Sequence, residues 1–263
     1  MNGRVFITGD KHGDFSFLPR FCEALNTTRD DVLIILGDAG LNIHSGWTAT
    51  ECGVKRKIGT CNITLLLVRG NHEWRPSDCN FDFIEHDIVK GVNPDDPIIP
   101  DKVYCQSGFP NILYAEDGAV YSIYGQSYLA IGGAFSVDKP WRLLMNRFWV
   151  PNEQLSQEER MNILDKIWHH SYTHVLTHTC PEIWEPRDLF LTMIDQSTVD
   201  KSTERFLEDV THYIDFEHWW FGHYHDDRME CGDPSAHMLF DSVYQILNDK
   251  TTKYVGTYHR EEY

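Results

Sequence analysis

The sequence is poor in positive charge: 23 Lys and Arg stand against 40 Asp and Glu, a formal charge of -17. A field of that sign repels a phosphodiester backbone, so long nucleic acid is not an expected partner. A small phosphorylated substrate stays open, because bound cations reverse the field locally. Long apolar runs are missing too. The longest, Val32–Leu36 and Leu65–Val68, fall far short of the roughly 20 residues that cross a bilayer, and no membrane partner is expected. The first residues lack the basic start, apolar segment and cleavage site of a secretory leader, which makes a cytoplasmic location the expectation. Close cysteine pairs are absent as well. Cys22, Cys52, Cys61, Cys79, Cys105, Cys180 and Cys231 are odd in number and widely spaced, an argument for free thiols over disulfides, a zinc knuckle or a redox pair. No repeat, low-complexity tract or linker divides the chain, so residues 1–263 read as one domain. Oligomeric state has no signature in the sequence.

What is present is a recurring unit. Val5, Phe6 and Ile7 run into Thr8-Gly9-Asp10-Lys11-His12-Gly13-Asp14, the pattern of a buried strand that delivers polar groups at its C-terminal tip. In extended backbone Asp10 and His12 share a face and reach one ion. A carboxylate oxygen with an imidazole nitrogen suits Mn, Fe or Zn. One Asp-x-His carries little, and its recurrence carries more. Phe15, Leu18, Phe21, Cys22 and Leu25 have helical spacing, with Ser16 as a cap and Pro19 in the first turn. Val32–Leu36 then ends in Gly37-Asp38-Ala39-Gly40. After a helix over 47–57, Ile63–Val68 ends in Arg69-Gly70-Asn71-His72-Glu73. Such runs, joined by crossover-length segments, predict parallel strands with ligands gathered outside their carboxyl ends.

Residues 91–101, with three prolines and three aspartates, predict an exposed loop. Ile112–Ala115, Ala119–Tyr124 and Tyr128–Ile131 alternate with turns and predict antiparallel hairpins. The residues from Gly132 to Arg147 offer a substrate-side wall with two readings. Either Arg142 or Arg147 grips a phosphate through its planar fork of donors, or both pair with local acids while Trp141 anchors a core boundary. Asn152 or Ser156 caps a helix whose stripe of Met161, Leu164, Ile167 and Trp168 faces the core. Val175 and Leu176 deliver His178 at a strand tip, while His169, His170 and His174 read as structural or surface residues. A helix over 200–216 precedes Trp219-Trp220-Phe221, which ends in Gly222-His223-Tyr224-His225. His223 and His225 fall on one face of an extended backbone and Tyr224 on the other. Met238–Phe240, Val243–Leu247 and Tyr254–Tyr258 read as closing strands.

In order and spacing, DxH at 10–12, GD at 37–38, GNHE at 70–73, the lone His178 and GHxH at 222–225 resemble the signature of the calcineurin-like metallophosphoesterase superfamily. The resemblance implies an α/β fold, a four-layer αββα sandwich of two mixed β-sheets flanked by helices. It implies two divalent or trivalent metal ions of the Mn, Fe or Zn kind. Asp10, His12, Asp38 and His225 would hold one; Asp38, Asn71, His178 and His223 would hold the other, with Asp38 as the bridge. The second catalytic residue beside Asp38 would be His72, outside the metals and near the scissile ester, with Glu73 and Asp14 behind the ligands. The implied reaction is hydrolysis by a hydroxide held between the metals, without a covalent intermediate. A phosphodiesterase or phosphomonoesterase for a small phosphorylated substrate, such as a nucleotide, is the leading reading. A phosphoprotein phosphatase of the serine/threonine type and a non-catalytic metal-binding regulatory protein are the alternatives.

The second block departs from the GDxxDRG of serine/threonine phosphatases, whose arginine holds phosphate. Here GDAG is followed by Leu41, Asn42, Ile43 and His44. Asn42 and His44 fall near the site, where His44 reads equally as a substrate contact or a surface residue. The stretch GGAFSVDKPWR at 132–142 resembles one in uncharacterised bacterial and phage-type members.

Overall fold

The computed structural model describes residues 3–46, 48–79, 83–87, 102–231, 233 and 235–259. The expected 91–101 loop lies outside those residues, as does Trp47 at the head of the second expected helix. Strands β1 (Val5–Thr8), β2 (Val32–Leu36), β3 (Thr64–Val68), β4 (Phe83–Asp87), β5 (Lys102–Gln106) and β6 (Ile112–Tyr114) belong to the first sheet. The second sheet holds β7 (Ala119–Ile123), β8 (Gln126–Ile131), β9 (Ser171–Thr177), β10 (Asp215–Phe221) and β11 (Ala236–Met238). The chain then returns to the first sheet through β12 (Ser242–Ile246) and β13 (Thr252–Thr257). The first sheet has eight strands in the order β13-β12-β1-β2-β3-β6-β5-β4, the second five in the order β11-β10-β9-β8-β7. The helices are α1 (Leu18–Leu25), α2 (Ala49–Gly59), α3 (Lys139–Leu144), α4 (Gln157–Ile167) and α5 (Ser202–Tyr213).

Period-two alternation along the strands sorts the apolar side chains into three layers. Ile7, Ile34 and Val68 of the first sheet meet Ala130, Leu176 and Trp220 of the second in the core between them. The intervening Phe6, Leu33 and Leu65 turn outward onto Leu18, Phe21 and Ile58 of α1 and α2. Val175, Trp219 and Phe221 likewise pack on Ile163, Phe206 and Val210 of α4 and α5. Both faces of each central strand are therefore covered, and the result is an αββα four-layer sandwich of two mixed sheets. Fully burying a side chain the size of Phe6 or Leu33 contributes roughly 2 kcal/mol, so these layers dominate the fold's stability.

Several expectations are corrected. Ile112–Tyr114 does not form its hairpin with Ala119–Ile123: β6 lies in the first sheet, antiparallel to β5 on one side and parallel to β3 on the other, and the turn at Asp117-Gly118 carries the chain across to the second. That second sheet is mostly parallel, because β8, β9, β10 and β11 pair in parallel and only β7 with β8 is antiparallel. The reason is visible in the connections: α4 and α5 are crossovers of the kind that parallel strands require. Helix α4 is capped as expected by Ser156, in a reciprocal capping box with Glu159, but its buried face is Ile163 and Ile167, while Met161 is 57% and Trp168 45% exposed. Ser16 does not cap α1; its N–H donates to Asp14 Oδ1 at 2.9 Å in the preceding turn. Trp141 is 53% exposed and anchors no core. Lys11, read as a turn residue by sequence, is buried and donates from Nζ to Phe240 O at 2.7 Å. Among the described residues no helix is long and apolar enough to cross a membrane.

Candidate metal centre

The tips of β1, β2, β3, β9 and β10 meet at one edge of the sandwich, but their ligands do not continue the strands. Strand β1 ends at Thr8 and β10 at Phe221. His12, Asp38, His223 and His225 take left-handed backbone angles, with φ of 47°, 42°, 69° and 55°. Non-glycine residues adopt that region at a cost of roughly 1 kcal/mol each, and such strain gathers where the surroundings hold it in place. Here the tips tie one another down: Lys11 N and His12 N both donate to Asp38 O, at 3.1 and 2.7 Å, and Gly222 N donates to His178 O at 2.9 Å. The extended-strand argument for Asp10 and His12 thus brings the right pair together for a different reason.

Two glycines make this crowding possible. A Cβ on Gly70 would stand 1.9 Å from Asp38 Oδ1, and one on Gly222 would stand 2.3 Å from Asp10 Oδ1. Any larger residue at either place would push a carboxylate out of the centre.

Ligand atoms converge in two clusters within 4.8 Å, Asp10 with His12 and His225, and Asp10 with Asp38 and His178. Asp10 therefore stands in both, whereas the family resemblance puts it in one. Asp38 Oδ2 lies 3.8 Å from His12 Nδ1, His72 Nε2 and His178 Nε2 alike, and its Oδ1 accepts from His72 N at 3.1 Å. Asn71 joins the second cluster. Its Nδ2 donates to Ser136 Oγ at 2.8 Å, which turns Oδ1 toward His178 Nε2, also 2.8 Å away. His223 packs beside His178, ring centroids 4.9 Å apart, and its backbone N–H donates to Asp10 Oδ1 at 3.0 Å.

This donor set fits cations. Asp10 is 1% exposed, and its Oδ2 makes no hydrogen bond, with His225 Nε2 3.3 Å away in an unsuitable geometry. His178 donates Nδ1–H to Leu36 O at 2.9 Å, so in the neutral ring its Nε2 presents a lone pair to the lone pairs of Asn71 Oδ1. His12 Nε2 and His225 Nε2 face each other at 3.0 Å. Acceptors aimed at acceptors require positive charge between them. The titration behaviour agrees. Burial alone would raise the Asp10 carboxyl, but His178, His225 and His12 outweigh it and hold it below the carboxylate range. Burial alone would lower His178, but Asp38 and Asp10 outweigh it and raise it. Burial, with His178 adding to it, pushes His223 well down.

Glu73 lies behind the ligands. It accepts from Gly40 N at 2.8 Å and Gly70 N at 3.0 Å, joining the second and third tips. Burial and the Asp38 charge push its carboxyl up to about 7. Asp14 accepts from Ser16 N at 2.9 Å within its own turn. Arg142 is held away from the centre by Asp138 Oδ2 at 2.7 Å and Phe148 O at 3.3 Å. Arg147 is exposed, and neither arginine lines the cleft. His44 pairs with Glu51 Oε2 at 3.4 Å and packs on Phe148, and Asn42 donates to Trp74 O at 2.6 Å, both outside the cleft lining.

A cleft of about 320 Å³ opens over His12, Asp38, Asn71, His72 and His225. Its other walls include Phe190, Leu191, Lys201, Glu204 and Tyr224. Sequence reasoning misses Phe190 and Leu191, which lie in an irregular segment without periodicity, reads only a helix at Lys201 and Glu204, and turns Tyr224 away from the site.

No curated protein matches this chain significantly in sequence. Among solved structures, one crystal structure aligns over 98% of this chain and 100% of its own with a TM-score of 0.52 at 11% identity, a likeness of fold. A looser match, at TM-score 0.39 and 12% identity over 99% of this chain and 81% of its own, is a protein serine/threonine phosphatase from Saccharomyces cerevisiae. The model of the calcineurin-like phosphoesterase family matches residues 3–227, the span that runs from the first strand through the last of the ligand-bearing tips. By that match, and by the sandwich and paired Asp/His clusters it accompanies, this chain belongs to the calcineurin-like phosphoesterase family.

Proposed function

We propose that this chain is a dinuclear metal-dependent hydrolase of small phosphoesters, with Asp38 as the shared ligand and His72 as the group nearest the ester. The observation that carries the reading is Asp38 Oδ2, equidistant at 3.8 Å from imidazole atoms of His12, His72 and His178. A pair of bound Mn, Fe or Zn ions would supply Lewis-acid activation of water and neutralise charge at phosphorus. Asp10, His12, Asp38 and His225 would hold one ion, and Asp38, Asn71, His178 and His223 the other. The chain's own residues do the rest. Ser136 fixes the Asn71 amide, Leu36 O fixes the His178 tautomer, and Glu73 holds the tips in register. His72, whose side chain is 26% exposed at the cleft, would donate a proton toward the leaving oxygen.

The test is hydrolysis of p-nitrophenyl phosphate and bis(p-nitrophenyl) phosphate by the Mn-loaded protein. His72→Ala is expected to keep both ions and lose about 100-fold in kcat. Loss of metal on that change would make His72 a ligand instead. Two bound ions without turnover on any phosphoester would favour a regulatory metal-binding protein.

A further inference from the structure

One wall of the cleft has no part in holding metal. Between β9 and α5 the chain runs through short turns at Glu182–Trp184, Arg187–Leu189 and Gln196–Thr198. These bring Phe190, Leu191, Ile194 and Val199 into the same cleft lining as His72, together with Phe135 and Val137 from the segment after β8. Phe190 is set in place. Its ring stacks on Tyr224 with centroids 6.4 Å apart and planes at 21°, and Lys201 Nζ sits 4.6 Å from its centroid. Leu191 beside it is 56% exposed, an apolar side chain presented to whatever enters.

Charge narrows the occupant further. Lys201 is the one lysine or arginine among the residues lining the cleft. Lys201 is moreover paired with Glu185, whose side chain is only 3% exposed. An anionic group on the organic part of a substrate would therefore meet only a cation already neutralised. A planar, uncharged apolar group would meet Phe190 and Leu191 and lose little solvation.

We propose that this wall sets the substrate class: a phosphoester whose organic group is uncharged and aromatic or apolar, seated against Phe190 and Leu191. The inference rests on the phosphoesterase reading for the phosphate end, and it adds the chemistry of the other end.

Affinities of methylphosphonate, benzylphosphonate and 4-carboxybenzylphosphonate for the Mn-loaded full chain, by titration calorimetry, test it. Benzylphosphonate is expected to bind about tenfold more tightly than either of the others, the gain of burying one ring face. Phe190→Ala and, independently, Leu191→Ser are each expected to erase most of that preference; Leu191 is exposed enough that its change leaves the fold intact. Equal affinity for the three, or a preference that both variants retain, overturns the inference. Selective binding without hydrolysis of phenyl phosphate would keep this inference and remove the hydrolase reading. Hydrolysis without the preference would do the reverse.

Discussion

His174 lies inside β9 and His178 just past its end, yet the two imidazoles live under opposite rules. Every nitrogen of the first group is spoken for. His174 takes the Trp220 indole N–H on Nδ1 at 3.2 Å and gives Nε2–H to Gln126 Oε1 at 2.7 Å. Its neighbours on β10 and β11 form a relay: Glu230 N donates to His237 Nδ1 at 3.4 Å, His237 Nε2–H to His218 Nδ1 at 3.1 Å, and His218 Nε2–H to Lys250 O at 3.1 Å. Each partner fixes one tautomer, and each ring is neutral. Burial pushes His174 down to about 3 and His237 down to about 4, with His218 adding to both. At the strand tips the opposite holds: neutral His178 aims its Nε2 lone pair at Asn71 Oδ1, His12 and His225 turn Nε2 toward each other, and Asp38 and Asp10 raise His178. Saturated imidazoles read as scaffold, and those beside buried carboxylates at the tips as candidate ligands.

That contrast can be broken by substitution. The largest effect belongs to Asp38→Asn, which removes the charge common to both ions. Activity is expected to fall by at least about 100-fold and occupancy of both sites to drop, read by turnover and elemental analysis. Full activity with both ions bound would end the bridging assignment. Next comes His174→Ala. It strands the Trp220 indole N–H and the Gln126 carbonyl and opens a hole against Tyr128, whose ring stacks on His174 at 4.7 Å. Stability should fall by roughly 2–4 kcal/mol in urea unfolding, with metal content unchanged. A loss of metal in that variant would blur the two classes.

The smallest effect is in pH. Unfolded, these imidazoles titrate near about 6.5; folded, His174 and His237 stay neutral down to about 3 and about 4. Their contribution is fully present above the unfolded value. As pH falls the unfolded chain takes up protons that the folded chain refuses, so stability drops by roughly 1 kcal/mol per pH unit per histidine between about 6.5 and 4. Urea melts in chelator at pH 7 and pH 5 read this, and His174→Gln is expected to flatten the slope. An unchanged slope would mean that His174 is not buried in its neutral form.

Much of the ligand set was legible in the sequence because a buried strand must end, and an apolar run closing on Gly with Asp, Asn or His marks where. The backbone at those ends was not legible: parity predicts extended chain for Asp10 and His12, whereas contacts between tips impose the left-handed turn at His12. Sheet assignment of Ile112–Tyr114 was hidden for a related reason, since a turn does not say which sheet the chain goes on to. The α4 stripe was misphased because Met161 and Trp168 are apolar but face solvent, and only packing against β8 and β9 selects Ile163 and Ile167. Phe190 escaped because irregular chain has no period to read, and Lys201 because a helix period does not say what its first turn faces. Arg142, whose type suggested phosphate, is taken by Asp138 one turn back on its own helix.

The most direct measurement of the account is metal content by elemental analysis of the Mn-loaded, gel-filtered chain. Two ions per chain are predicted, their removal by chelator lowering the melting temperature, because ligand held at 1,000 times its dissociation constant stabilises by about 4 kcal/mol. A chain that retains no ion, and melts at the same temperature with and without chelator, would contradict it.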